Sequence, residues 1–152
     1  MTRRDLPLIE PWFREAFAAV NGIPMKEGSA VETLRRGVST SSGQLAIVQT
    51  GGSEPIGLLE YRLAHPAGGW ATVGFLAVRA DRRGWGHGSE AVRMFEEMAR
   101  EAGVERLRAD VAAGNGLGLY FWLRLGYRPA SPDEIFWPRD AGRDIISMIR
   151  AI

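Results

Sequence analysis

The sequence predicts a single α/β domain, in which a mixed β-sheet carries helices on its faces. Three apolar segments, at residues 45–49, 56–63 and 70–78, are separated by short turn segments, a pattern typical of an antiparallel meander. Strand-like and helix-like segments then alternate, which is typical of strands connected through helices. The 152 residues suit one domain with its own core, and no segment has the composition of a linker. We therefore assign residues 1–152 to one domain.

Hydrophobic periodicity predicts the individual elements. The first helix covers residues 8–20, with Pro11 tolerated in its first turn. A second, short helix is predicted at residues 29–36. The clearest helix covers residues 90–102, because its apolar side chains share one face and Gly103 follows as a C-terminal stop. The remaining predicted elements are a strand at 106–111, a helix from a cap at Asn115 to about 125, a strand at 127–130 and a final strand at 144–149.

Composition excludes several classes of protein. The net charge of +1 gives no reason to expect a nucleic-acid partner. The sequence has no cysteine, which excludes a disulfide scaffold, a thiolate metal site and a cysteine nucleophile. With His65 and His87 as the only histidines, we expect no metal site. Since no apolar run is long enough to span a bilayer and no targeting segment is evident, we expect a cytoplasmic protein without membrane association.

The strongest functional signal is a glycine-rich segment between the third strand and the clearest helix. Gly84, Gly86 and Gly88 alternate where that helix begins, and Arg82 and Arg83 precede them. Exposed backbone N–H groups, the positive end of the helix dipole and arginine side chains together suit a phosphorylated ligand. The segment therefore predicts a nucleotide-type cofactor.

Three other interpretations of this segment compete with that prediction. A P-loop requires Gly-Lys-Ser/Thr, and the sequence contains no Gly-Lys. A dinucleotide fingerprint, G-x-G-x-x-G, is nearly matched by residues 84–89, with Asp110 near the expected ribose acid. Against it, Ser89 stands at the third glycine and the glycines begin six residues beyond Val78. A glycine-rich turn without any ligand is disfavoured, because three glycines cost conformational entropy that a plain connection does not need.

The segment resembles the pyrophosphate loop of the GNAT (GCN5-related N-acetyltransferase) superfamily. That family's pattern is Arg/Gln-x-x-Gly-x-Gly/Ala, which residues 83–88 match in full, after a typical strand end at residues 76–78. The resemblance implies that acetyl-CoA is the cosubstrate and that the loop amides hold its pyrophosphate. It also implies that main-chain groups of the strand end pair with the pantetheine arm. The implied cofactor-binding residues are Leu76, Ala77, Val78, Arg83, Gly84, Trp85, Gly86, His87, Gly88 and Ser89.

A second segment is similar to the family's pattern Asn-x-x-Ala-x-x-x-Tyr-x-x-x-Gly-Phe. Asn115 stands at the Asn position, Gly118 at the Ala, Trp122 at the Tyr and Gly126 at the Gly. This adds Asn115 and Trp122 to the implied cofactor-binding residues. The likeness extends from about residue 6 to residue 149, although the family's first strand is not evident. It implies an antiparallel meander followed by β-α-β-α-β, with splayed central strands that form a cofactor cleft.

The catalytic groups depart from the family's pattern. Trp122 replaces the tyrosine that often acts as general acid, and an indole cannot supply a proton at neutral pH. Tyr120 lies two residues earlier, about 200° round the helix, and is a candidate acid or a packed aromatic. The family's glutamate base aligns near Thr72, where no carboxylate is present. Glu60 and Asp110 are the candidate bases, with a chain of water molecules as the alternative.

The resemblance implies an acyltransferase that moves acetyl directly from acetyl-CoA to a primary amine of a small molecule or of a peptide or protein N-terminus. A homodimer is compatible with it. The alternative function is a GNAT-fold sensor or interaction module that binds CoA without useful turnover. The aromatic candidates for the acceptor wall are Trp12, Phe13, Phe17, Trp70, Phe136 and Trp137.

Overall fold

The computed structural model describes residues 3–21, 32, 34, 44–49, 51–52, 54–138 and 144–152. In this part of the chain, helices flank one mixed six-stranded sheet, and the predicted fold class is confirmed. The helices are α1 (Leu6–Asn21), α2 (His87–Glu101) and α3 (Gly116–Arg124), and the strands are β1 (Gln44–Gln49), β2 (Pro55–Leu63), β3 (Trp70–Val78), β4 (Arg106–Ala112), β5 (Arg128–Pro129) and β6 (Ile145–Ala151). Glu32 and Leu34 are helical, and the rest of the predicted helix at 29–36 lies outside the described residues.

The strands follow the order β1-β2-β3-β4-β6-β5 across the sheet. β3 and β4 are parallel, and every other neighbouring pair is antiparallel. The predicted meander of β1 to β3 is confirmed. The predicted strand at 127–130 shortens to two residues, because the Tyr127 N–H donates to the Trp122 carbonyl at 3.1 Å and Pro129 has no N–H to offer.

The two faces of the sheet carry different helices. On one face, which we call the α1 face, Ile9 and Phe13 of α1 pack against Leu58 and Ala77. α2 and α3 cover the opposite face, where the largest apolar cluster lies. The aromatic rings of Phe13 and Phe17 pack against Phe75 at 5.6 and 6.1 Å, so they belong to the core rather than to an acceptor wall.

The central strands splay apart, as predicted. Parallel pairing joins only Trp70–Val73 of β3 to Arg106–Ala109 of β4. Beyond these residues β3 continues alongside β2, and β4 continues alongside β6. The register of β2 and β3 shifts at Gly74, which is left without a partner on β2, and such a bulge bends a strand. A cleft therefore opens between β3 and β4 next to Gly74.

The ends of the helices also differ from the prediction, and α1 begins at Leu6 rather than at residue 8. α2 begins at His87 rather than at residue 90, because Gly86 adopts a left-handed conformation that turns the chain directly into the helix. Gly103, also left-handed at φ 78°, ends α2 as predicted. Before α1, the described chain forms a 3-10 turn at Arg3–Asp5 and no strand. Among the helices of the described residues, none is long and apolar enough to cross a membrane.

Candidate functional site

A cleft of about 280 Å³ lies between the splayed strands. Residues 73–78 of β3 form one wall, Asp110 and Val111 of β4 form the other, and the first turns of α3 close one end. Trp122, which is buried, and Arg83 and Gly88 of the glycine loop also line it. The cleft therefore joins the loop to the exposed edge of β3.

The main chain of β3 directs toward this cleft hydrogen-bonding groups that do not pair with β2. The Arg79 N–H donates to the Ile56 carbonyl of β2 at 2.8 Å, so the main chain at Arg79 is directed toward β2. Because successive residues of a strand direct their main-chain groups to opposite sides, those of Leu76 and Val78 are directed toward the cleft. In agreement, the Val78 carbonyl accepts from Arg83 Nε at 2.8 Å. An extended ligand with amide groups can bind along this edge as a further strand would.

The glycine loop forms an anion site at the start of α2. Gly84 and Gly86 have φ angles of 82° and 87°, which residues with side chains rarely adopt. The first helical amide to bond within α2 is that of Glu90, which donates to the Gly86 carbonyl at 3.0 Å. The N–H groups of residues 87–89 precede it and have no acceptor within the helix, and Gly86 has no side chain to cap them. These amides and the helix dipole suit a phosphate group.

The arginines around the loop differ in their availability. Arg79 is ion-paired with Glu54 and with Asp81, whose carboxyl lies 2.6 Å from Arg79 Nε. Hydrogen bonds from Arg79 hold the pKa of Asp81 below its ordinary value. Arg82 is 3.8 Å from Asp81 and half-exposed, and the exposed Arg83 makes its contact with a carbonyl rather than a carboxylate. Arg82 and Arg83 therefore contribute most of the positive charge that a phosphate would meet.

Asn115 and Gly118 fix the start of α3 at the mouth of the cleft. Asn115 Oδ1 accepts from the Gly118 N–H at 2.9 Å as a helix cap, and Asn115 Nδ2 donates to the Val20 carbonyl at 2.9 Å. A Cβ on Gly118 would lie only 2.7 Å from Asn115 Nδ2. An alanine at this position would therefore require the Asn115 side chain to shift. Asn115 is thus a cap that ties α3 to the end of α1 while lining the cleft.

The aromatic residues of α3 occupy different environments. Trp122 packs against Tyr127 with ring centroids 4.7 Å apart and lines the cleft. Tyr120 is 60% exposed, its ring lies 5.8 Å from the Arg124 guanidinium carbon, and it is not among the residues that line the cleft. The structure does not bring Tyr120 together with the cofactor-binding residues, because the helical rotation that separates it from Trp122 directs it to solvent. Trp85 is 79% exposed, so we expect its main chain rather than its side chain to contribute to cofactor binding.

The Glu60 carboxylate lies beside Gly74, which lines the cleft, although Glu60 itself is not among the lining residues. Glu60 pairs with Phe75 across β2 and β3, next to the bulge. A Cβ on Gly74 would overlap the Glu60 carboxylate, so the carboxylate lies directly against the Gly74 main chain. Its side chain is 21% exposed, and Oε1 accepts from Arg62 Nε at 3.2 Å. Because Gly74 of β3 has no side chain, there is room beside it for the carboxylate of Glu60 from β2. β3 itself carries no carboxylate at this position.

Asp110 forms the opposite side of the opening, on β4. Arg108 donates to both of its carboxylate oxygens, at 2.8 and 2.5 Å, and Ser147 Oγ donates to Oδ1 at 2.8 Å. A carboxylate has about four acceptor positions, so roughly one remains open here. One acceptor position of the Asp110 carboxylate is therefore available to a further donor.

Thr72 lies on the α1 face, in the part of β3 that still pairs with β4, and His65 lies beside it. Thr72 Oγ1 donates to the His65 carbonyl at 2.9 Å and lies 3.0 Å from His65 Nδ1. Since the single hydroxyl hydrogen is used by the carbonyl, Nδ1 carries a hydrogen and donates it to Thr72. Burial lowers the pKa of His65, and the charges of Arg62 and Arg108 lower it further. His65 is consequently uncharged at neutral pH.

From the sequence we did not identify Gly74, Arg108 or Ser147 as parts of the site. A glycine within a strand pattern often marks a bulge or a close approach, and this signal could have drawn attention to Gly74. The contact of Ser147 with Asp110 depends on the pairing of β4 with β6, which no local pattern encodes, whereas Arg108 and Asp110 lie two residues apart on β4. Among the described residues, no group of three or more histidine, aspartate or glutamate side chains is placed to hold a metal ion.

Comparison with known proteins identifies the family. The model of the acetyltransferase (GNAT) family matches residues 7–127, which is most of the chain. The chain therefore belongs to the GNAT family, as its glycine loop and α3 segment predicted. No protein with a curated description matches it significantly.

Solved structures of acetyltransferases share the whole fold. An acetyltransferase from Thermus thermophilus is 25% identical with a TM-score of 0.80, the match covering 100% of this chain and 94% of that one. The PaiA N-acetyltransferase of Thermoplasma acidophilum, solved in complex with coenzyme A, is 16% identical with a TM-score of 0.75, covering 100% and 96%. The ribosomal-protein-S18-alanine N-acetyltransferase of Escherichia coli is 18% identical with a TM-score of 0.72, covering 100% and 90%.

Proposed function

We propose that this GNAT protein is an acetyl-CoA-dependent N-acetyltransferase that acts on a primary amine of a small molecule or of a peptide or protein N-terminus. One observation carries the proposal. The uncapped start of α2 and the cleft-facing edge of β3 lie along one cleft, and the Glu60 carboxylate lies against its wall at Gly74.

The cosubstrate fits this arrangement group by group. The amides of residues 87–89, with Arg82 and Arg83, suit the pyrophosphate. The cleft-facing main-chain groups of Leu76 and Val78 suit the two amides of the pantetheine arm. Buried Trp122 supplies an apolar surface beside that arm.

The chemistry requires the loss of two protons from the acceptor nitrogen and polarisation of one carbonyl. In our proposal the Glu60 carboxylate takes a proton from the acceptor ammonium, which frees the nitrogen lone pair. The nitrogen attacks the thioester carbonyl carbon, a C–N bond forms and the C–S bond breaks. A cleft-facing N–H of β3 stabilises the oxygen that becomes negative. As the adduct collapses, the nitrogen loses its second proton to water and the leaving thiolate takes a proton from water, while Glu60 returns its proton to solvent. An ammonium and acetyl-CoA thus give an acetamide, CoA thiol and one released proton.

Replacing Glu60 by glutamine tests this function. We expect kcat to fall about 100-fold because the proton acceptor is lost, while the Kd for acetyl-CoA stays unchanged. Steady-state kinetics with a panel of primary amines and calorimetric titration with acetyl-CoA give the two quantities. Glu97→Gln, which removes an exposed carboxylate of α2, is the matched control and should leave both unchanged. Equal kcat values for Glu60→Gln and the control would remove Glu60 from the mechanism.

A second test uses the gap at Gly74. Gly74→Ala introduces a Cβ that overlaps the Glu60 carboxylate, so we expect kcat to fall about tenfold by displacement of the proton acceptor. Gly68→Ala, in the turn between β2 and β3, adds a Cβ that meets nothing within 4 Å and serves as the control. Kinetics and acetyl-CoA titration of both variants check the expectation. A Gly74→Ala variant with full kcat would show that the carboxylate position does not matter.

One observation favours the second candidate, a CoA-binding module without useful turnover. Trp122 occupies the position of the family's acid, and the nearby Tyr120 is directed to solvent. If acetyl-CoA binds and no amine in the panel is acetylated, this second function is favoured over the first.

A further inference from the structure

The indole of Trp122 carries a hydrogen-bond donor that has no partner in the described part of the chain. Trp122 is 6% exposed and lines the cleft, and its side chain makes no hydrogen bond with any other described residue. We propose that this N–H donates a hydrogen bond to the sulfur of acetyl-CoA and stabilises the thiolate that leaves. The inference rests on the proposed function, because it requires acetyl-CoA to bind in the cleft.

The Trp122 nitrogen is accessible to a bound molecule. Buried donors nearly always have a partner, so a buried side chain with an unused donor calls for an explanation. Every fully enclosed side-chain nitrogen or oxygen of the described residues does have one. Because the Trp122 nitrogen has none, it is not fully enclosed, and Trp122 borders the cleft. The partner we infer is therefore a group of the ligand.

The other side-chain donors of the cleft are already in use or lie elsewhere. Among the described residues that line it, Arg83, Asn115 and Trp122 carry side-chain N–H groups. Arg83 Nε donates to the Val78 carbonyl at 2.8 Å, at the end of the cleft where the glycine loop lies. Asn115 Nδ2 donates to the Val20 carbonyl at 2.9 Å. Trp122 is thus the donor available to the apolar middle of the cleft.

The sulfur is the acceptor that gains most from this donor. In the proposed complex, main-chain groups of β3 pair with the amides of the pantetheine arm and with the thioester oxygen. The sulfur has no partner among them, and it becomes negative when the C–S bond breaks and its electron pair moves to sulfur. Hydrogen bonds to ionised acceptors are about twice as strong as neutral ones, so this bond strengthens during the reaction. The indole keeps its proton, and the thiolate then takes a proton from water.

A buried network behind Trp122 holds the indole in place. Its ring packs against that of Tyr127 at 4.7 Å, the Tyr127 hydroxyl donates to Glu96 at 3.2 Å, and Arg150 NH1 donates to Glu96 at 3.0 Å. Burial raises the pKa of Tyr127, and the charge of Glu96 raises it further. Tyr127 therefore stays protonated and bonded to Glu96, and it does not serve as an acid for the cleft. A donor that is fixed in advance needs little reorganisation when charge develops.

The test is the pKa of the CoA thiol in the complex, measured by NMR of CoA labelled with carbon-13 next to the sulfur. We expect this pKa to be about one unit higher in Trp122→Phe than in wild type, because the variant keeps an aromatic surface and loses the donor. Glu60, Arg83 and Asp110, the charged groups around the cleft, are the same in both proteins. The difference therefore reports the N–H group.

Trp12→Phe is the matched control. Trp12 is also a buried indole, but its N–H donates to the Leu8 carbonyl at 3.0 Å and it does not line the cleft. Its substitution should leave the pKa of the bound thiol at the wild-type value. If Trp122→Phe does not fold, benzothienylalanine at position 122, which has sulfur in place of the N–H and nearly the same shape, gives the same comparison.

The outcomes separate this inference from the function on which it rests. A higher thiol pKa in Trp122→Phe, with a CoA Kd within threefold of wild type, supports it. Equal thiol pKa values overturn it, and so does a weaker Kd without a change in the thiol pKa, since the N–H would then bind another part of CoA. If the pKa difference is found and no amine is acetylated, the inference stands and the proposed turnover fails. Failure of CoA and acetyl-CoA to bind overturns both.

Discussion

The Gly86→Glu variant is expected to lose acetyl-CoA binding, with a rise in Kd of about 1000-fold, or about 4 kcal/mol. Two effects add. Gly86 has a φ of 87°, so any side chain strains the turn that directs the amides of residues 87–89 toward the ligand. The carboxylate would also stand at the positive end of α2, where the pyrophosphate is proposed to bind, and would repel it. Calorimetric titration of the variant with acetyl-CoA measures the loss.

Gly103→Glu is the control for this experiment. Gly103 is also left-handed, with φ 78°, but it lies at the other end of α2, far from the loop. The substitution introduces similar strain and the same charge, so its acetyl-CoA Kd should match that of wild type. A parallel titration of wild type with NAD tests the dinucleotide alternative. Binding of NAD in place of acetyl-CoA would contradict our interpretation of the loop.

The largest expected effect on stability comes from Arg150→Met. Arg150 NH1 donates to both oxygens of Glu96, at 3.0 and 3.2 Å, and to the Leu125 carbonyl at 2.6 Å. Glu96 is only 4% exposed, and its other partner in the described structure is the Tyr127 hydroxyl at 3.2 Å. Without Arg150 a buried carboxylate loses its counter-charge, so we expect the free energy of unfolding to fall by about 3 kcal/mol. Guanidinium unfolding at pH 7 measures this quantity.

Arg128→Met provides the matched comparison. Arg128 also pairs with a glutamate, Glu134, but its side chain is 59% exposed, and exposed pairs contribute less than about 1 kcal/mol. Equal effects of the two substitutions would contradict a structural role for the buried pair.

The parts of the site that the sequence predicts are those encoded locally. The alternation of glycines at 84, 86 and 88 sits within one turn, and the left-handed conformations follow from the residues themselves. The cap at Asn115 depends on a neighbour three residues away. The direction of Tyr120 follows from helical rotation relative to Trp122. Each of these depends on short stretches of chain, which is why a motif suffices to find it.

The position of the Glu60 carboxylate depends on distant parts of the chain. It results from the register of β2 against β3 and from the bulge at Gly74, and a shift of one residue would move Glu60 to the other face. The hydrogen bond from Ser147 to Asp110 likewise depends on β6 pairing beside β4, because the two residues lie 37 positions apart in the chain. Strand order and register are set by the packing of the whole sheet, and apolar periodicity alone does not specify them.

The cleft-facing surface of β3 consists of main-chain groups, and this has a consequence for divergence within the family. A surface made of peptide N–H and carbonyl groups depends on where two strands separate, and hardly on which side chains they bear. Mutation can therefore replace most of the sequence while the surface persists, provided that the splay and the loop glycines remain. This is in keeping with a fold shared across its full length with a protein only 16% identical.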